Sequence, residues 1–129
     1  MNKEYVPYEQ ALEIKELGFD EPCFGFYHIN SGYTIGYAFC YSDVESQPID
    51  GCSAPLYQQA FRFIREKYGY NCFVTSSILD GTWYYFRENL KDRKKDSDPE
   101  LTPHFETPEE AERICLINVI DIIKKEMKS

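Results

Sequence analysis

Five cysteines, two histidines and one concentrated run of basic and aromatic residues are the side chains of this 129-residue chain best suited to chemistry. Cys52 is the best candidate nucleophile. It stands just ahead of Ser53 and a predicted helix, where the positive end of a helix dipole would lower a thiol pKa. No histidine lies near it in sequence to act as base, so an ordinary loop cysteine is the plainer reading. His28 falls in a predicted strand with Phe24 and Phe26, which suits a satisfied strand histidine. His104 falls in a polar loop, where a rigid site is hard to build. Asp80, Glu88, Asp92, Asp96 and Asp98 are turn and loop acids that lack the ligand ladder of a calcium loop. No GxGxxG, GxxxxGK or HExxH pattern occurs, and no His/Cys group has zinc spacing. The expectation is a non-enzyme with no catalytic residues, no cofactor and no metal.

The basic run has more to offer. Arg62 and Arg65 on the predicted second helix, with Arg87, Lys91, Arg93, Lys94 and Lys95, form the one concentrated basic region, and Trp83, Tyr84 and Tyr85 lie next to it in sequence. Rings that stack on a base and cations that meet a phosphate are the ingredients of a nucleotide site. Arg62, Arg65, Tyr84 and Arg87 are the residues expected to form it. The competing reading is a solvated hairpin with a basic loop, because Asp92, Asp96 and Asp98 interleave the positive charges.

Whole-chain charge narrows the partners. Asp and Glu number 22 against 14 Lys and Arg, giving a net charge of −8. An acidic surface gains nothing from counterion release, so non-specific nucleic-acid binding is not expected. The acidity is concentrated before residue 60, which suits either a solvated face or a docking surface for a basic partner. The odd cysteine count and the absence of CxxC spacing argue against a disulfide scaffold. Met1-Asn2-Lys3-Glu4-Tyr5 has no apolar signal region, and no apolar run approaches the ~18 residues of a membrane span. A cytoplasmic protein is expected.

The elements that must position these groups are legible in part. Pro7 opens a first helix that Gly18 closes, with Phe19 beyond it to complete the cap. Residues 23–29 and 33–41 read as strands, the second alternating aromatic with small residues. Residues 42–52 read as a polar loop. Ser53 and Pro55 open a second helix whose apolar face carries Leu56, Tyr57, Ala60, Phe61, Phe63, Ile64 and Tyr68, and Gly69 ends it. Residues 71–79 and 82–88 read as a hairpin turning at Asp80-Gly81. Residues 89–105 read as a mobile exposed loop. Thr107, Pro108 and Glu110 open the last helix, at 107–127, with a capping box.

The order is αββ-αββ-α in one domain of 129 residues. A 49-residue offset lays Tyr8–Leu12 on Tyr57–Phe61, Cys23-Phe24 on Cys72-Phe73 and Gly32 on Gly81, which suggests an αββ duplication with halves 7–41 and 55–88. The expected fold is α+β, with one antiparallel sheet of about four strands and the helices on one face. A tyrosine-rich second face, with Tyr33, Tyr37, Tyr41, Trp83 and Tyr85, would then serve as a protein-interaction or dimer surface.

The stretches Phe19-Asp20-Glu21-Pro22-Cys23, Ala54 to Gly69 (APLYQQAFRFIREKYG) and Thr107-Pro108-Glu109-Glu110-Ala111-Glu112 resemble a group of small uncharacterised proteins. These occur in bacteriophages and prophage-like elements, notably of gut Bacteroidetes. The resemblance implies a small accessory protein made in a host cytosol, binding a host protein or a signalling nucleotide. It brings no catalytic residue with it. The leading expectation is a non-catalytic protein that binds another protein, alone or as a dimer, with sequestration of a nucleotide or other small molecule as the alternative.

Overall fold

A computed structural model describes residues 4–21, 23, 25–28, 34–37, 51–92, 94, 96 and 102–128. The fold is α+β, with three helices and antiparallel strands among the described residues. The chain divides into two compact units, Met1–Ala60 and Phe61–Ser129.

In the first unit, helix α1 spans Tyr8–Glu16. Its C-terminus follows the expected chemistry. Gly18 adopts φ 108°, a left-handed conformation that costs a side chain-bearing residue about 1–2 kcal/mol. That turn lets Gly18 N–H reach Lys15 C=O at 3.0 Å and Phe19 N–H reach Ile14 C=O at 3.1 Å. Phe19 is buried beyond the cap. Strands β1 (Gly25–His28), β2 (Thr34–Tyr37) and β3 (Gly51–Ala54) form an antiparallel sheet in the order β2-β1-β3. On the central strand Tyr27 is buried, donates its hydroxyl to Val6 C=O at 2.6 Å and meets the Tyr8 ring edge-on at 5.6 Å.

Strand β3 corrects the reading of residues 42–52 as loop throughout. Gly51 and Cys52 pair with His28 and Tyr27 of β1. It also moves the start of the second helix. Helix α2 spans Tyr57–Tyr68, and Ser53 lies in the strand instead of capping it. The orphan N–H of Leu56 is satisfied by Gln59 Oε1 at 3.0 Å, a side chain reaching back from the first turn. Gly69, at φ 79°, ends α2 as expected.

The second unit is built on the hairpin of β4 (Tyr70–Ser76) and β5 (Trp83–Asn89). Helix α3 (Pro108–Lys128) packs on both strands. Glu110 N–H donates to Thr107 Oγ1 at 3.2 Å, so the predicted cap forms. Ala111, Cys115, Leu116, Val119, Ile120 and Ile123 line the buried stripe of α3. Ile114 and Ile122 of the same helix are only half-buried. The strands therefore fall into a three-stranded and a two-stranded sheet among the described residues, in place of one sheet of about four strands.

Candidate interaction surface on the second hairpin

Alternation along β4 and β5 divides their side chains into two sets. Tyr70, Cys72, Tyr85 and Asn89 are buried on the side that faces α3. Tyr70 donates its hydroxyl to Glu126 of α3, and Arg87 donates from Nη1 to Asn118 of α3. Burial first, and then the hydrogen bond to Glu126, push the Tyr70 hydroxyl up to about 12. Burial also raises Tyr85. Cys115 is raised by its hydrogen bond with Cys72 and by burial, which keeps it an unreactive thiol.

The opposite side carries Asn71, Phe73 and Thr75 across from Glu88, Phe86 and Tyr84. Asn71 donates to Glu88 at 3.0 Å. The Phe73 and Phe86 rings lie 5.5 Å apart, and Phe73 remains 43% exposed. Tyr84 stacks on His104, with centroids 5.2 Å apart and planes 15° from parallel. Beyond them the chain turns through Ile78, Leu79, Asp80 and Gly81, because Ser77 N–H bonds Thr82 C=O at 2.7 Å. The connection thus has four residues, where the Asp80-Gly81 motif suggested two. Ile78 is 99% exposed and Leu79 96%.

A polar cluster stiffens this end. Asp80 Oδ1 accepts from the Thr82 hydroxyl at 2.5 Å and from the Thr82 N–H at 3.1 Å. These bonds hold the Asp80 carboxyl below its ordinary pKa. Thr82 Oγ1 lies 2.7 Å from His104 Nδ1, and Asp80 Oδ2 lies 3.9 Å from the same nitrogen. Since Thr82 has one proton and gives it to Asp80, its oxygen accepts from His104, which assigns a proton to Nδ1. This orders His104, which the sequence placed in a mobile loop. Trp83 and Phe105 also exchange both backbone hydrogen bonds, at 2.8 and 2.7 Å. At the other end of the loop, Asp96 accepts from Asn89 N–H, and Asn89 Oδ1 accepts from Lys91 and Asp92 N–H.

The nucleotide quartet is not assembled as expected. Tyr84 and Arg87 are three residues apart on one strand and point to opposite sides. Arg87 faces α3, while Arg62 and Arg65 are exposed on α2. Of the expected protein-contact residues, Tyr85 is only 7% exposed and belongs to the core, and Trp83 is half-buried. Tyr37 lies in β2, while Tyr33 and Tyr41 fall outside the described residues. Cys52 sits within β3 and five residues before α2, so the helix-dipole argument for its reactivity does not apply. His28 is in β1, as expected. Arg93, Lys95 and Asp98 fall outside the described residues. No group of three or more metal-ligating side chains converges among the described residues. The sequence reading passed over Phe73, Phe86, Ile78 and Leu79. Two adjacent aliphatic residues inside a turn, where polar residues are usual, were the available signal.

Comparison with protein families, with curated proteins and with solved structures finds no match. No helix among the described residues is long and apolar enough to cross a membrane.

Proposed function

We propose that this chain is a non-catalytic binding protein that engages another protein through the tip and outer side of the β4–β5 hairpin. The observation that carries the reading is the near-complete exposure of Ile78 and Leu79, side by side at the tip. Fully burying such a side chain is worth about 1.5–3 kcal/mol, so a partner pocket that received both would gain substantially. Phe73 and the Tyr84–His104 stack continue the surface toward the base of the hairpin. The Asp80–Thr82–His104 cluster holds the tip in one shape, which lowers the ordering cost of binding. This role fits the small phage-type accessory proteins that the chain resembles, acting in a host cytoplasm.

The test is affinity capture from host lysate with the wild type and with an Ile78→Asp, Leu79→Asp double variant. The expected result is one protein captured by the wild type and lost by the variant, with the melting temperature unchanged. Equal capture by both, or none by the wild type, would overturn the reading.

The αββ duplication stands as a second proposal. The order α1-β1-β2 recurs as α2-β4-β5, and both helices end at a left-handed glycine, Gly18 and Gly69. Strand β3 is then an addition between the halves. Separate expression of residues 55–129 tests it: a folded, cooperative fragment is expected, and an unfolded one would count against it.

A further inference from the structure

We infer that the open edge of β4 takes β4 of a second copy of this chain, extending the hairpin into a four-stranded antiparallel sheet about a two-fold axis at Phe73.

The direction of every backbone group in the hairpin follows from one observation. Trp83 bonds Phe105 through both its N–H and its C=O, so these groups point away from β4. In an antiparallel ladder that direction alternates residue by residue. Tyr85, Arg87 and Asn89 therefore point outward as well, and the bond from Asn89 N–H to Asp96 at 2.6 Å agrees. Their register partners Ser76, Val74, Cys72 and Tyr70 point their groups off the opposite edge of the sheet. Among the described residues that edge is paired with no strand, since this sheet contains β4 and β5 alone.

The two edges are treated differently. The β5 edge is crossed by Phe105 at one end and by Asp96 at the other. The β4 strand carries none of the residues that blunt an edge against pairing. Its sequence, Tyr-Asn-Cys-Phe-Val-Thr-Ser, has no proline, no glycine and no charge.

Symmetry and charge select the occupant. The outward groups fall at residues 70, 72, 74 and 76, evenly about Phe73. An antiparallel copy in that register sets Cys72 opposite the partner's Val74 and Tyr70 opposite the partner's Ser76. The pairing forms about eight hydrogen bonds between chains. Phe73 then meets the partner's Phe73 in the close, non-hydrogen-bonded position. The existing Phe73–Phe86 contact becomes a row of four rings across the axis. A chain of net charge −8 repels its own copy over most approaches, but this uncharged strand sets no like charges opposite one another. The two readings share Phe73, but the Ile78→Asp, Leu79→Asp variant changes neither Phe73 nor the β4 edge, so a dimer retained by that variant separates this inference from the proposed partner.

The test is native mass spectrometry and light scattering on the full chain at 1–100 μM, with amide hydrogen exchange as the second readout. The expected species has twice the 15.2 kDa chain mass, with the Cys72 and Val74 amides becoming at least tenfold slower as concentration rises. Val74→Pro deletes an outward N–H while leaving the β4–β5 ladder intact, and is expected to give a folded monomer. Should that variant fail to fold, Phe73→Lys, which sets a charge against itself, decides in its place. A wild type that stays monomeric at 100 μM would overturn the inference, including one whose edge is reserved for a strand of another protein. So would a dimer that survives the deciding variant, or one in which these amides exchange freely.

Discussion

Trp83 and Phe105 exchange both of their backbone hydrogen bonds, at 2.8 and 2.7 Å, although 22 residues separate them. This bridge returns the chain to the edge of β5 before α3 begins, and it brings His104 against Tyr84. Phe105→Pro removes the N–H that donates to Trp83 C=O. The expected cost is about 1 kcal/mol or more of unfolding free energy, read by urea titration. The Trp83 amide should exchange faster in the same variant. Unchanged exchange would mean that the bridge does not hold this edge.

Leu116 lies on the stripe of α3 that meets the hairpin and is fully buried. Leu116→Ala should cost about 2–5 kcal/mol, because the lost transfer energy is compounded by the cavity left behind. Thr107→Ala, which removes only the cap of the same helix, should cost about 1 kcal/mol. Comparing the two by denaturant melts separates packing from capping. Equal costs would contradict the burial described here.

The Tyr70 hydroxyl, pushed up to about 12, predicts an alkaline limit to stability. Below pH 10 both folded and unfolded chains keep this proton, and the contribution of Tyr70 is fully present. Between pH 10 and about 12 the unfolded chain releases the proton while the folded chain retains it, so stability falls as pH rises. Melting temperatures of the wild type should drop more steeply across that window than those of Tyr70→Phe. Parallel curves would show that the Tyr70–Glu126 bond does not control the titration.

Cys23, Cys72 and Cys115 are buried, and Cys115 is held as a thiol by its bond with Cys72 and by desolvation. Peptide mapping after brief alkylation should find these three unmodified in the native state and fully modified in denaturant. Rapid native labelling of Cys72 or Cys115 would show that α3 leaves the hairpin readily.

The features legible in the sequence were those completed within one turn of chain. Gly18 with Phe19, Gly69, and Thr107 with Glu110 close or open helices through bonds spanning at most five residues. The β4–β5 pairing was also legible, because its strands are adjacent in sequence. The features that escaped depend on distant partners. Strand β3 has no apolar alternation in Gly51-Cys52-Ser53-Ala54, and it is a strand only because β1 pairs with it. Its formation displaced Ser53 from the helix cap and handed that task to Gln59.

For the candidate surface, residue types alone placed Tyr84, Tyr85 and Arg87 together, whereas strand alternation sets Tyr84 on the opposite side from Tyr85 and Arg87. The sequence by itself determined that this is an acidic α+β chain with helices closed at Gly18 and Gly69 and opened at Thr107, and with an aromatic second hairpin. Only the tertiary structure decided which side of that hairpin α3 covers, and so which residues remain for a partner. That choice turns on where the apolar stripe of a distant helix can be buried, and burial is a sum over contacts from the whole unit that no local window contains. The same packing made Tyr85 part of the core and left Phe73, Ile78 and Leu79 in water.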